Sequence, residues 1–367
     1  MTKQTGSEAI SHLLRKEQAD YVPLHDSPWG DTLTRWVSEG MPADEKGNAV
    51  DPTEHFGFDI AGCGGWFDWH PKQGVNETVE ETADWKVVRN GSGALLKWWK
   101  NRSGTPEHVA FDMSSREVWD REYRPFLVEF DRARLGDLQA VRDNLAKWRA
   151  LGKWTCYGNQ FIWEDMRASM GDYTMYTALI EDPDWVHDYC RVYTDLYKAA
   201  YRILIEECGK PDGVWLYEDL GYKGSLFCSP HVLETVIFPY FVEMVEFFHS
   251  YGLPVILHSC GFQEPALPLI VQAGFDGLNP MEVKAGNDIF KFAERYGEQL
   301  AFVGGLDARI LESGDRETIR KGVTDFITGL RQRGARFVYG SDHSLSTNIS
   351  YQDFLYSLEI YRDNMWN

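Results

Sequence analysis

The sequence predicts an α/β fold of the (β/α)8 TIM-barrel class, and three observations support this prediction. From about Leu135 onward, short apolar strands alternate with longer helices, a pattern typical of parallel strands joined by right-handed crossovers. The chain has 367 residues, 43% of them hydrophobic, which is enough for one large barrel. No Gly-x-Gly-x-x-Gly follows the first strand, which disfavours an open dinucleotide-binding sheet. We expect one barrel domain over residues 1–367.

The first elements of the chain are predicted to be short and mainly helical. Residues 7–18 have helical periodicity, residues 20–24 have the pattern of a short strand, and residues 31–39 form a second predicted helix. Gly40 and Pro42 end that helix, because glycine favours the position after a helix and proline cannot continue one. We therefore expect an N-terminal helical segment before the regular barrel pattern.

Residues 77–112 have a different pattern. Two strand-like runs flank Asn90 and Gly91, a pair typical of β-hairpin turns. We expect this segment to form an antiparallel β-hairpin insertion that caps one end of the barrel. Trp98 and Trp99 within it are expected to pack on the core, as large aromatic side chains usually do, and lining a pocket is the alternative interpretation.

Beyond residue 135, predicted strands and helices follow one another with short loops. The predicted strands cover residues 154–158, 213–217, 254–257, 277–279, 300–303 and 336–339. The predicted helices cover residues 137–151, 162–170, 173–181, 185–208, 230–251, 264–273, 288–296, 316–333 and 351–362.

The composition disfavours several classes of function. With 37 Lys and Arg against 56 Asp and Glu, the net charge is −19, which disfavours binding to nucleic acids and anionic membranes. No apolar run reaches the roughly 18 residues of a membrane span, and the polar N-terminal residues do not resemble a secretion signal. Six cysteines lack CxxC spacing, so we expect reduced thiols and a cytoplasmic protein.

Polar residues that can bind metal or transfer protons recur where the predicted strands end. In a barrel of this class, side chains at the carboxyl ends of the strands form the active site. The residues at these positions are Glu218 and Asp219, His258 and Cys260, Glu282, Asp307, and Asp342 and His343. This repeated placement predicts an active site at the strand ends.

His258 and Cys260 are the candidate metal ligands. They are two residues apart on extended chain, so both side chains can face the same way. A nitrogen and sulfur pair suits zinc, with His343 or Glu218 as a third ligand and the fourth position left for substrate. A packed cysteine beside a loop histidine is the alternative interpretation.

The strand-end carboxylates also have structural interpretations. Asp307 could cap a helix, and one of the adjacent residues Glu218 and Asp219 could be a solvated surface group. The remaining histidines, including His25 and His70, have no spacing that suggests a site.

Several motifs resemble those of the uroporphyrinogen decarboxylase superfamily. They are Phe227-Cys228-Ser229-Pro230, Leu257-His258-Ser259-Cys260-Gly261, Gly274-Phe275-Asp276-Gly277-Leu278-Asn279-Pro280, Gly304-Gly305-Leu306-Asp307 and Gly340-Ser341-Asp342-His343. The resemblance covers most of the chain and is most specific between Leu220 and Asp353. It implies a (β/α)8 barrel. The superfamily contains the heme-pathway decarboxylase and zinc methyltransferases that move methyl groups between corrinoid proteins and a thiol or pterin.

The sequence departs from both branches of this superfamily. The decarboxylase binds its substrate carboxylates through an Arg-rich N-terminal motif, whereas residues 23–30 here contain no Arg. The methyltransferases use His-x-Cys and a distant Cys as zinc ligands. His258 and Cys260 match the first two, but the distant position is His343.

The resemblance implies a zinc-dependent methyltransferase, acting in methyl transfer or O-demethylation. Zinc would be held by His258, Cys260 and His343, while Glu218, Asp219 and Asp307 would position substrate or transfer a proton. The implied partners are a small-molecule substrate and a corrinoid carried by another protein, and a homodimer is compatible with the barrel rim. The alternatives are a decarboxylase or lyase acting on a tetrapyrrole or other cyclic carboxylic acid, and a non-catalytic barrel that binds a corrinoid or tetrapyrrole.

Overall fold

The structure, a computed structural model, describes residues 4–366. In chain order the strands are β1 (Ile60–Gly64), β2 (Asn76–Glu81), β3 (Trp85–Asn90), β4 (Leu95–Trp99), β5 (Glu107–Ala110), β6 (Trp154–Gln160), β7 (Gly213–Tyr217), β8 (Gly221–Tyr222), β9 (Ser225–Leu226), β10 (Val255–His258), β11 (Gly277–Asn279), β12 (Ala301–Val303) and β13 (Phe337–Val338).

The described part of the chain also contains fourteen α-helices. They are α1 (Gly6–Leu14), α2 (Gly30–Ser38), α3 (Pro52–Phe56), α4 (Arg116–Val118), α5 (Leu138–Ala150), α6 (Ile162–Glu181), α7 (Pro183–Ile203), α8 (Pro230–Val232), α9 (Phe238–Ser250), α10 (Leu267–Gln272), α11 (Ile289–Tyr296), α12 (Ala308–Glu312), α13 (Arg316–Gln332) and α14 (Tyr351–Asn364). Gly171, with φ of 69°, bends α6 at the boundary between two predicted helices.

Seven parallel strands form a curled sheet in the order β1-β6-β7-β10-β11-β12-β13. Residues 20–24 lie between its two edges and close it. Leu24 bridges Tyr339 in parallel, and the Leu24 carbonyl accepts a 2.7 Å hydrogen bond from the Asp59 backbone N–H just before β1. The predicted (β/α)8 fold class is confirmed, with the short strand expected over residues 20–24 as its closing segment.

Helix α1 closes the amino-terminal end of the barrel. Its buried residues Ala9, Ile10 and Leu13 belong to one apolar cluster with inward-facing barrel residues such as Trp215 and Ile256. The placement follows from the sequence, because α1 is strongly amphipathic and Thr5 and Glu8 form a capping box at its start. The carboxyl ends of the strands are therefore the end at which a cavity can form.

The insertion is larger than the sequence predicts. Strands β2 to β5 form a four-stranded antiparallel sheet, in which the expected turn at Asn90 joins β3 to β4. The expectation that Trp98 packs on the core is wrong, because its exposed fraction is 39%. Reciprocal hydrogen bonds join the insertion to α2: Asp31 N–H donates to Ser103 Oγ at 3.2 Å, and Ser103 N–H donates to Asp31 Oδ2 at 3.0 Å.

Two further expectations concern membranes and thiols. No helix in the described part of the chain combines the length and apolarity that a bilayer crossing requires. All six cysteines are free thiols, four of them buried. No disulfide joins cysteines within residues 4–366.

Candidate active site

A cavity of about 480 Å³ lies at the carboxyl ends of the barrel strands. The ends of β7, β10 and β11 form one side, and the segment that follows the closing strand, including His25 and Trp29, forms another. Gly104 and Thr105 of the insertion also line the cavity. This volume is in the range of small-molecule sites.

Three side chains in this cavity present metal-ligating atoms to one another. Ligand atoms of Asp219, His258 and Cys260 all lie within 4.8 Å of each other. Cys260 Sγ is 3.3 Å from His258 Nε2, and this nitrogen is 3.8 Å from Asp219 Oδ1. The predicted pair of His258 and Cys260 is thus brought together with Asp219.

Strand register produces this arrangement. His258 lies beside Tyr217 of β7 on one side and beside Asn279 of β11 on the other. The loop after β10 is tied to the loop after β7, because Cys260 N–H donates to Asp219 Oδ1 at 2.7 Å. The three candidate ligands therefore come from two neighbouring strand ends whose positions are set by the barrel.

Asn279 determines which nitrogen of His258 faces the group. The Asn279 amide donates from Nδ2 to the Val303 carbonyl at 2.8 Å, which leaves Oδ1 as the acceptor. His258 Nδ1 is 2.6 Å from that oxygen and must carry the proton. Nε2 is then unprotonated and directed at Cys260, the state that a metal ligand requires.

Burial and neighbouring charges change the pKa values of His258 and Cys260. Burial lowers the pKa of His258, while the Asp219 carboxylate acts in the opposite direction. Burial raises the pKa of the Cys260 thiol, and the nearby carboxylates of Asp219, Glu282 and Glu164 raise it further. A neutral imidazole and nearby carboxylates both favour the binding of a cation. A bound cation would in turn promote ionisation of the Cys260 thiol.

His343 lines the same cavity but lies outside the group of three. Its Nδ1 is 3.3 Å from the Ser344 carbonyl, and its ring centroid is 6.3 Å from that of Trp29. The structure therefore places this predicted ligand in the cavity wall beside Trp29.

The structure places two predicted catalytic carboxylates outside the cavity lining. Glu218 is 1% exposed and accepts backbone hydrogen bonds from Phe161 at 2.6 Å and Trp163 at 2.7 Å. It anchors the turn that begins α6. Asp307 caps α12 and forms an ion pair with Arg309 at 2.7 Å, which agrees with the helix-cap interpretation.

Sequence reasoning did not assign a role to several residues that line the cavity. These are His25, Trp29, Trp215, Tyr217 and Asn279. The ring centroids of Trp215 and Tyr217 are 6.2 Å apart, and that of Tyr217 is 5.1 Å from the centroid of His258. Trp215, Tyr217 and Asp219 are spaced by two residues, a signal that could have identified one inward-facing row.

The comparison with known protein families agrees with this architecture. The family profile described as uroporphyrinogen decarboxylase (URO-D) matches residues 166–362, more than half of the chain. The chain belongs to the uroporphyrinogen decarboxylase family. No curated protein sequence matches it.

A solved structure supports the fold of this family member. A methyltransferase from Methanosarcina mazei matches with a TM-score of 0.69 and 15% identity, over 98% of this chain and 99% of the other. An AP endonuclease of family 2 from Brucella melitensis has a TM-score of 0.34 and 11% identity, over 58% and 80% of the two chains. Only the first is similar enough to show the fold.

In this member of the uroporphyrinogen decarboxylase family, the cavity has no cationic side chain of Lys or Arg among its described lining residues. Residues 23–30, where the resemblance suggests an Arg-rich motif, do reach the cavity but contribute His25, Asp26, Ser27 and Trp29. Burial raises the pKa of Asp26 to about 6, although hydrogen bonds from Ser341 oppose that shift. The cavity is therefore acidic and aromatic.

Proposed function

We propose that this chain is a zinc-dependent methyltransferase that moves a methyl group between a small-molecule substrate and a corrinoid carried by a partner protein. The observation that carries the proposal is the group of Asp219, His258 and Cys260 at the strand ends, with His258 oriented by Asn279. The fold shared with the Methanosarcina methyltransferase supports the same class of reaction.

The three side chains fit zinc by their donor chemistry. Zinc accepts imidazole nitrogen, thiolate sulfur and carboxylate oxygen, and catalytic sites commonly use three protein ligands and leave one position open. We therefore assign Asp219 as the third ligand, in place of His343. Zinc held there would supply a Lewis acid toward an oxygen or sulfur atom of the substrate.

The other cavity residues would bind and orient the substrate. Tyr217 lies between Trp215 and His258, so these rings form an apolar wall beside the candidate ligands. Trp29 of the N-terminal segment and Thr105 of the insertion also line the cavity, where they would limit the access of water. His343 would contact substrate from beside Trp29.

The charge of the cavity favours methyl transfer over decarboxylation of a polycarboxylate. Buried carboxylates require cationic or hydrogen-bonding partners, and no Lys or Arg lines the described cavity. A volume of about 480 Å³ suits a small substrate, so we place the corrinoid with its partner protein at the mouth of the cavity.

Metal analysis tests the zinc assignment. We expect one zinc per chain in wild-type protein after metal-replete expression, and far less in His258→Ala and Cys260→Ala. Cys228→Ala is the matched control, because Cys228 is a half-buried free thiol outside the cavity lining. Asp219→Ala should lower zinc affinity more than His343→Ala. Wild-type protein with well under one zinc per chain would refute the assignment.

Methyl transfer is tested separately with free methylcobalamin in place of the corrinoid protein. The zinc-loaded wild type should convert methylcobalamin and a thiol into cob(I)alamin and the methyl thioether, a reaction followed by visible absorption. A zinc-loaded protein that leaves methylcobalamin unchanged but releases carbon dioxide from a cyclic carboxylic acid would instead support the decarboxylase alternative.

A further inference from the structure

The cavity contains a histidine that the proposed function does not use. His25 follows the closing segment of the barrel, and its backbone N–H donates to the Tyr339 carbonyl at 2.9 Å. Its ring centroid lies 5.2 Å from that of Trp215 and 6.0 Å from that of Phe58. The side chain is therefore held by neighbouring rings while it lines the cavity.

The two ring nitrogens of His25 have different surroundings. Nδ1 is buried and has no hydrogen-bond partner in the described chain. Nε2 also has no partner among residues 4–366, but unlike Nδ1 it retains solvent-accessible surface. Because His25 lines the cavity, Nε2 is the nitrogen that a ligand can reach. Burial lowers the pKa of His25 to about 4, so the ring is neutral near pH 7 and carries one proton. Because a buried N–H without an acceptor is strongly disfavoured, the proton belongs on Nε2.

The surroundings of His25 determine which class of ligand its Nε2–H can contact. Trp215 and Tyr217 continue the row of rings from His25 to His258. Asp26 is the adjacent residue and is buried, and no Lys or Arg lines the described cavity. An anionic ligand would therefore find no Lys or Arg, and the charge of a zinc ion would be balanced by the Cys260 thiolate and the Asp219 carboxylate. An uncharged flat ring can instead stack on the aromatic wall.

We infer that His25 donates a hydrogen bond from Nε2 to an oxygen acceptor on an uncharged, ring-containing substrate that lies against Trp215 and Tyr217. The inference rests on the proposed function in one respect, since it places the methyl-carrying substrate in this cavity. It adds the substrate class and makes His25 a substrate-binding residue.

Two probe molecules of nearly equal shape test the inference. Anisole has an ether oxygen where ethylbenzene has a methylene group, so the difference in their affinities reports a hydrogen bond to that oxygen. We expect wild-type protein to bind anisole roughly 3- to 10-fold more tightly than ethylbenzene in ligand-observed NMR titrations. The preference should be unchanged between pH 7 and 8, because His25 is neutral and Asp26, with a pKa of about 6, is ionised in this range.

Variants assign the preference to His25. His25→Phe keeps a ring and removes the donor, so the two probes should bind equally. His25→Gln keeps an N–H donor near the position of Nε2 and should restore part of the preference. His231→Phe, on an exposed histidine at the start of α8, controls for the substitution itself. Equal binding of both probes to wild type, or no binding of anisole, overturns the inference.

A final variant separates this inference from the proposed function. Cys260→Ala is expected to lack zinc but to retain His25, so its preference for anisole should persist. A preference that persists in His25→Phe and disappears in Cys260→Ala would assign the oxygen contact to the metal and overturn the role of His25. If the wild type binds no zinc and transfers no methyl group but keeps a His25-dependent preference for anisole, the proposed function is refuted and the role of His25 is not.

Discussion

Replacing Asn279 with leucine removes the amide that orients His258 toward Cys260 and Asp219. In the wild type, His258 Nδ1 is 2.6 Å from Asn279 Oδ1, and Asn279 is held by its 2.8 Å hydrogen bond to the Val303 carbonyl. Leucine has similar size but offers no acceptor. The imidazole can then adopt either neutral tautomer, and its ring can rotate.

The magnitude follows from these contacts. A net hydrogen bond contributes about 0.5–1.5 kcal/mol, which alone changes an affinity by roughly 2- to 12-fold. Loss of the fixed tautomer and ring orientation adds to this, and removal of such a partner from a metal-binding histidine typically costs about 10- to 100-fold in affinity. We expect zinc affinity of Asn279→Leu to fall by this larger factor, equivalent to about 1.4–2.7 kcal/mol.

The assay is a zinc titration of metal-free protein in competition with a chromophoric chelator at pH 7. Asn279→Asp retains an oxygen acceptor for His258, so its affinity should fall less. Asn159→Leu is the matched control, because Asn159 is a fully buried amide on β6 that bonds to the Gly65 carbonyl, outside the candidate ligand group. If Asn279→Leu binds zinc within twofold of wild type while Asn159→Leu does the same, orientation of His258 by Asn279 is not part of the site.

Three further predictions concern the surrounding structure. Glu218→Ala should lower the free energy of unfolding in urea by about 2–6 kcal/mol, because the buried backbone N–H groups of Phe161 and Trp163 lose their acceptor at about 1–3 kcal/mol each, and Glu218→Gln should lose less. Asp31→Ala should free the insertion loop and make trypsin cleavage after Arg102 several-fold faster than in wild type. Hydrogen bonding to Asp276 raises the pKa of His249 above its ordinary value of 6.5, so the pair stabilises the fold below pH 6.5 and this contribution falls as pH rises through the raised value. An NMR titration of His249 in wild type and Asp276→Asn checks that direction, and an unchanged pKa in the variant would contradict it.

Adjacent residues on one strand end show where local patterns stop being informative. Glu218 and Asp219 are both acidic and both follow β7, so residue type and position along the chain predict the same role for both. Successive residues of extended chain point to opposite sides. Asp219 continues the inward row of Trp215 and Tyr217, while Glu218 turns outward and binds the backbone before α6. Register within the closed barrel, rather than the local sequence, decides between them.

The closing segment shows a second limit of sequence reasoning. The short strand over residues 20–24 is predictable, but it precedes the regular strand and helix alternation. The resemblance to the decarboxylase matches residues 23–30 with its Arg-rich motif by position but assigns no role to His25. In the structure, hydrogen bonds to Tyr339 and Asp59 make it a full member of the barrel. His25 therefore occupies a strand end equivalent to that of His258.

By itself, the sequence determined the barrel class, the position of the insertion and the pairing of His258 with Cys260. These features depend on periodicity and on neighbours along the chain, which a single sequence contains. Only the tertiary structure decided that Asp219 joins that pair, that Asn279 sets the tautomer of His258, and that His25 faces the same cavity. These contacts join strands that are far apart in the chain, and the register of the closed sheet determines which of their side chains meet.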